Sequence, residues 1–124
     1  MFQAKYYKKD KYHAQILLLG EEQVGEIESD TLEDVIDKYI KFEEEYYGFK
    51  FTDEMKKLRH ISAELIFKLG NEYDDQLLKK AIEVNVELQN LYVESGFERI
   101  RSTYRANFIA AEEEELKSGG ELNG

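Results

Sequence analysis

Chemistry in a protein needs side chains that titrate, ligate or attack, and this chain supplies few outside its carboxylates. It has two histidines and no cysteine, against 27 Asp and Glu residues. Without cysteine there is no thiolate nucleophile, no disulfide and no cysteine-based zinc site, and the expected setting is a reducing cytoplasm. His13 falls in a strand-like stretch. His60 precedes Glu64 by four positions, so the two can share one helical face. Neither Glu-x-x-His nor His-Glu-x-x-His occurs, and His60 is expected to be a structural or surface residue. Acid pairs at helical spacing are Asp34 with Asp37, Glu83 with Glu87 and Glu112 with Glu115. All-helical nucleotide pyrophosphatases hold magnesium with such pairs on successive helices. Here the pairs lie far apart in sequence and off the apolar stripes, so a magnesium-dependent nucleotide hydrolase is only the third of three readings. No Gly-rich loop follows a strand and no Gly-x-Ser-x-Gly is present. The stretch from Asp30 to Asp37 lacks the glycine and spacing of a calcium loop. The expectation is no catalytic residue, no metal and no cofactor.

The elements that must position these residues follow from the hydrophobic pattern. Phe2 to Tyr6 alternates apolar and polar with period two. Lys8 to Lys11 forms a polar turn. Tyr12 to Leu19 alternates again and becomes apolar on both faces, as a central strand does. Gly20-Glu21-Glu22 is the next turn and Val24 to Glu28 a third strand, with Gly25 marking a bulge. Helical spacing takes over at Leu32, Val35, Ile36, Tyr39, Ile40 and Tyr46 or Tyr47, behind a capping box of Asp30 and Glu33 and ahead of a stop at Gly48. Thr52 caps a second helix carrying Met55, Leu58, Ile61, Leu65, Ile66 and Leu69. A third runs from about Asp74 to Ser95 with Leu77, Leu78, Ala81, Ile82, Val84, Leu88 and Leu91 inward. Gly96 either breaks it or is absorbed, since a helical glycine costs about 1 kcal/mol. Phe97, Ile100, Tyr104, Phe108 and Ala111 share the stripe of the last segment. The fold class is α+β: an N-terminal three-stranded antiparallel meander over residues 1–29, then three to four helices over 30–118 in one domain, with 119–124 a flexible tail. No apolar run is long enough to span a membrane.

Charge is uneven along this layout. The chain has 124 residues and a formal charge of -10. Residues 20–47 alone hold eleven acids against two lysines, a net of -9. Acids near a helix N-terminus are favoured by the macrodipole, which accounts for Asp30, Glu33 and Asp34 as a solvated surface. Glu43, Glu44 and Glu45, at the other end, have the wrong sign for that explanation. The sharper reading is a negative face that imitates a phosphate backbone, made of Glu26, Glu33, Asp34, Asp37, Glu43, Glu44 and Glu45, with Tyr46 and Tyr47 as aromatic anchors. A second patch holds Arg99, Arg101 and Arg105, which either pair with neighbouring glutamates or form a small anchor on nucleic acid or on an acidic partner. So acidic a chain does not suit direct nucleic-acid or anionic-membrane binding.

No proline, cysteine or tryptophan, with 13 Lys to 4 Arg, fits the coding of an AT-rich bacterial or phage genome. In size, charge, lack of cysteine and sheet-then-helices layout, the chain resembles small acidic phage-encoded inhibitors, including the anti-CRISPR proteins that occupy nucleic-acid channels of Cas effectors. The resemblance covers the whole chain and carries no motif. It implies a non-enzymatic module in a bacterial cytoplasm that binds a basic, nucleic-acid-handling protein and blocks its nucleic-acid site. The alternative is a homo-oligomeric assembly protein, at its simplest a homodimer, that packs the apolar faces of its third and fourth helices between subunits.

Overall fold

A computed structural model describes residues 2–123 of the chain, with side chains through residue 117. Three strands come first: β1 (Phe2–Lys8), β2 (Tyr12–Leu18) and β3 (Glu22–Ser29). They form one antiparallel sheet in the order β1-β2-β3, so the strand with two apolar faces is the central one. Four helices follow: α1 (Leu32–Tyr47), α2 (Asp53–Asn71), α3 (Asp75–Ser95) and α4 (Phe97–Asn123). The fold is α+β, a three-stranded meander covered on one face by helices.

Local chemistry explains the boundaries, with two shifts from expectation. The second hairpin turns at Leu19 and Gly20, one residue early, with both at positive φ (53° and 76°) and Glu21 N–H donating to Leu18 O at 3.1 Å. Leucine seldom adopts this conformation. A Cβ at Gly20 would come within 3.2 Å of Gln3 Oε1, the end of an exposed side chain that can move aside, so the positive φ rather than space calls for glycine. The N-cap of α1 is Thr31, not Asp30: its hydroxyl accepts from Asp34 N–H at 3.1 Å, so the helix begins one residue later than the Asp30–Glu33 box implied. Other signals fall where the sequence placed them. Thr52 caps α2, Asp74 caps α3, and Gly48 closes α1 in the left-handed region. The bulge lies beside Gly25: Ile16 pairs with Gly25 and Leu17 with Gln23, which leaves Val24 as the extra residue.

Gly96, at φ 84°, separates α3 from α4, so residues 75–123 form two helices rather than one. Helix α4 continues past the tail expected from residue 119 and is described to Asn123; nothing in the sequence there is a proline that would force a stop. Residue 124 lies outside the described residues.

The helices bury Ala14 and Ile16 of β2 beneath Val35, Ile36, Tyr39 and Ile40 of α1. At the far end of α1 an aromatic cluster closes the core. Phe97 is fully buried, with the rings of Phe51, Tyr92, Phe49 and Tyr47 centred 4.8, 5.0, 5.1 and 5.4 Å from its own. Three residues assigned to the core by periodicity are exposed instead: Ile66, Leu78 and Ile82. The distal part of α4, Ile109 to Lys117, is exposed on every side.

Candidate functional site

The acidic segment divides into two populations. Glu43 is not a surface group. It lies on the inward stripe of α1, between Tyr39 and Tyr47, and is only 6% exposed. Its two carboxylate oxygens accept from Arg59 Nη1 and Nη2 of α2 at 3.0 and 2.9 Å, a bidentate pair. Glu44 turns the same way, accepting from Phe51 N–H at 2.9 Å and lying 3.9 Å from Lys56 Nζ. Tyr47 is 5% exposed and packs in the aromatic cluster, and Tyr46 is half-buried with Phe2 and Tyr104 against it. The expectation that Glu43, Glu44, Tyr46 and Tyr47 form an outward contact surface is therefore corrected. The reversed sign at the end of α1 has its cause in α2, where Arg59 and Lys56 wait for these carboxylates.

The remaining acids do face solvent. Asp34 accepts from Ser29 Oγ and pairs with Lys38 Nζ at 3.2 Å; that hydroxyl and that ammonium hold its carboxyl below the usual range. Asp37 meets His60 Nε2 at 2.5 Å, so the histidine's partner is on α1 rather than Glu64 on its own helix. Asp30 is 3.9 Å from Lys11. Glu33 and Glu45 are exposed with no basic group within 4.0 Å among the described residues. Glu26 and Glu28 stand side by side on the outer face of the sheet and flank His13, whose Nδ1 lies 3.9 and 4.0 Å from them. The Tyr7 ring stacks on His13 at 4.9 Å and its hydroxyl donates to Glu26. The arginine patch is divided as well. Arg101 donates to Glu98 and lies over the rings of Tyr92 and Phe97 at 5.3 and 5.7 Å, whereas Arg99 and Arg105 are exposed.

Sequence reasoning missed a second assembly around Arg59. Its Cζ lies 4.9 Å from the Phe51 ring centre and 5.7 Å from that of Tyr39. Burial works against its charge, but the Glu43 carboxylate together with Tyr92 and Tyr39 outweighs burial and holds the guanidinium firmly protonated. Tyr39 is 2% exposed and its hydroxyl has no hydrogen-bond partner among the described residues. Burial first, and the Glu43 charge second, push the Tyr39 phenol far above its ordinary pKa; burial does the same to Tyr6. These groups line a cleft of about 520 Å³ between β1 and the first three helices. The signal was in the sequence. Arg59 lies four after Met55 and three before Ser62, on the buried stripe of α2, as Glu43 lies on that of α1. Among the described residues no group of three His, Asp or Glu side chains is placed to hold a metal ion.

Two measurements follow from this geometry. Glu43→Gln or Arg59→Met leaves one charge buried alone and should cost about 3–5 kcal/mol in denaturant unfolding, whereas the double variant Glu43→Leu/Arg59→Met should recover most of it. Additive losses in the double variant would show that the two charges do not act as a pair. The second concerns alkali. Burial, followed by the Glu43 charge, pushes the Tyr47 phenol from 10.0 up to about 12. The folded state thus holds this proton more tightly than the unfolded chain. Its contribution is complete below pH 10.0 and disappears as pH rises through about 12, and those of Tyr6 and Tyr39 fail in the same direction. In a tyrosinate absorbance titration the exposed Tyr73 should ionise without unfolding, and the buried rings only in one cooperative step with it. No family model, no curated protein and no solved structure matches this chain.

Proposed function

We propose that this chain is a non-catalytic binding protein whose acidic surface docks on a basic, nucleic-acid-handling protein and keeps nucleic acid from it. The surface is smaller than the acidic run in the sequence. It comprises Glu26 and Glu28 on the outer sheet face, continues through Asp30, and ends on the first turns of α1 at Glu33, Asp34 and Asp37. The observation that supports it is that Glu26, Glu28 and Glu33 are exposed and that no Lys or Arg nitrogen lies within 4.0 Å of their carboxylates among the described residues, Lys38 reaching only the Glu28 backbone carbonyl. Glu26 accepts from the Tyr7 hydroxyl and flanks His13 with Glu28, which leaves the negative charge of all three facing solvent. Such a surface gives fast, salt-sensitive association with a cationic groove. A bacterial cytoplasm and a phage origin complete the proposal, as the resemblance to small phage-encoded inhibitors implies.

The outward face of α3 favours a second reading. Ile82, Val86 and Val93 recur four and seven residues apart and are 55%, 57% and 62% exposed, a narrow apolar seam on an otherwise polar face. In an antiparallel pair with a second copy, Lys79 and Lys80 near the start of one α3 would meet Glu94 near the end of the other.

Two experiments separate these readings. A nuclease-treated pull-down with the wild type should retain basic nucleic-acid-binding proteins that added DNA displaces, and Glu26→Lys/Glu28→Lys/Glu33→Lys should lose them. Identical capture by both proteins, or capture indifferent to high salt, overturns the docking surface. Size exclusion with light scattering reads the seam: a dimer that Val86→Glu converts to monomer supports it, and a wild-type monomer at every concentration removes it.

A further inference from the structure

The cleft around Arg59 carries an inference separate from either reading, because neither reading uses the polar groups buried in it. Its walls come from five elements. Gln3 and Tyr6 lie on β1, Tyr39 and Glu43 on α1, Arg59 and Ser62 on α2, Asn85 and Tyr92 on α3, and Arg101 at the start of α4. A volume of about 520 Å³ is within the range of small-molecule sites.

The hydrogen-bond donors of this cleft are only partly used. Arg59 uses two N–H groups on Glu43, and its other three have no partner among the described residues. The buried Tyr39 hydroxyl has none either. Ser62 Oγ donates to Asn85 Oδ1 at 2.8 Å, which fixes that amide so that its N–H₂ is free to donate. On the acceptor side, both oxygens of Glu43 are already engaged by Arg59. Gln89 Oε1 accepts from Arg101 at 3.5 Å. Three guanidinium N–H groups, the Tyr39 hydroxyl and the Asn85 amide are thus free to donate around this cleft, and an occupant that brings acceptors is favoured there. Charge sets the second condition. Arg59 is matched by Glu43 and Arg101 by Glu98, so an occupant with a full charge would be desolvated with no counter-charge to meet it. Shape sets the third, because the rings of Tyr6, Tyr39 and Tyr92 and the side chains of Ile36, Ile40 and Leu88 offer flat and apolar walls.

We propose that this cleft binds an uncharged, planar, carbonyl-bearing ring of the size of a pyrimidine base or nucleoside, its carbonyl oxygens accepting from the Tyr39 hydroxyl, Arg59 and the Asn85 amide. Binding needs no covalent step. The guanidinium is held in place by Glu43 and stacked on Phe51, so its free N–H groups are oriented before a ligand arrives.

Uridine is the probe, with benzoate as a flat anion of similar size and uridine 5′-monophosphate as a charged relative. Calorimetric titration and thermal shift at millimolar ligand should show uridine binding and raising Tm, the monophosphate binding no tighter, and benzoate not binding. Tyr39→Phe removes a buried hydroxyl that lies beside the Glu43 carboxylate, so its Tm without ligand is read alongside, and it should weaken uridine about tenfold. Asn85→Asp, at an exposed position, replaces the donating amide with a carboxylate and should weaken uridine at unchanged fold. Absence of any uridine signal overturns the proposal, as does equal affinity in Tyr39→Phe. Tighter binding of benzoate or the monophosphate than of uridine overturns the neutral-ligand assignment and with it the proposal.

Discussion

One carboxylate–guanidinium pair joins the two halves of this small fold. Glu43 and Arg59 meet between α1 and α2 with good bidentate geometry, away from water. Taking both charges out of solvent is costly, and attraction offsets that cost only while the geometry holds. The pair is therefore weak as a source of net stability and strong as a specifier. It fixes the register of α2 against α1, because any slip strands two charges in the core. Around it the Phe51 and Tyr39 rings take positions that a purely aliphatic core would leave free. The cleft owes its polarity to the same pair.

The architecture was largely legible from the chain, because its local signals agree with one another. Alternation in Tyr12–Leu18, the threonine and aspartate caps and the glycines at 20, 48 and 96 each correspond to a boundary in the structure. The one misplaced cap had two candidates side by side, and Thr31 rather than Asp30 has the side chain that reaches Asp34 N–H. Gly96 was ambiguous by propensity alone. Tertiary packing of Phe97 under the aromatic cluster decides it, which no local scale contains.

The site was legible only in part, for a different reason. A run of three glutamates reads as surface when charge is counted by residue type, yet the stripe Ile36, Ile40, Glu43, Tyr47 places the first of them inside. A buried charge needs a buried partner, and Arg59 sits at the corresponding place on the stripe of α2. Either signal alone is an irregularity; together they specify an interior pair. Glu26 and Glu28 needed the register of β2 with β3 to appear as neighbours flanking His13. The Asp37–His60 contact likewise joins residues 23 apart and has no local trace.

The junction between α3 and α4 has a mechanical consequence. No loop separates these helices; one left-handed glycine turns the chain, and Phe97 directly after it is clamped by four rings. From there to Lys117 the helix extends about 30 Å at 1.5 Å per residue; its first turns pack on the core through Ile100 and Tyr104, and residues 109–117 are exposed. Residues 109–117 thus project about 12 Å beyond the packed turns, in a direction set by one glycine and the rings around Phe97.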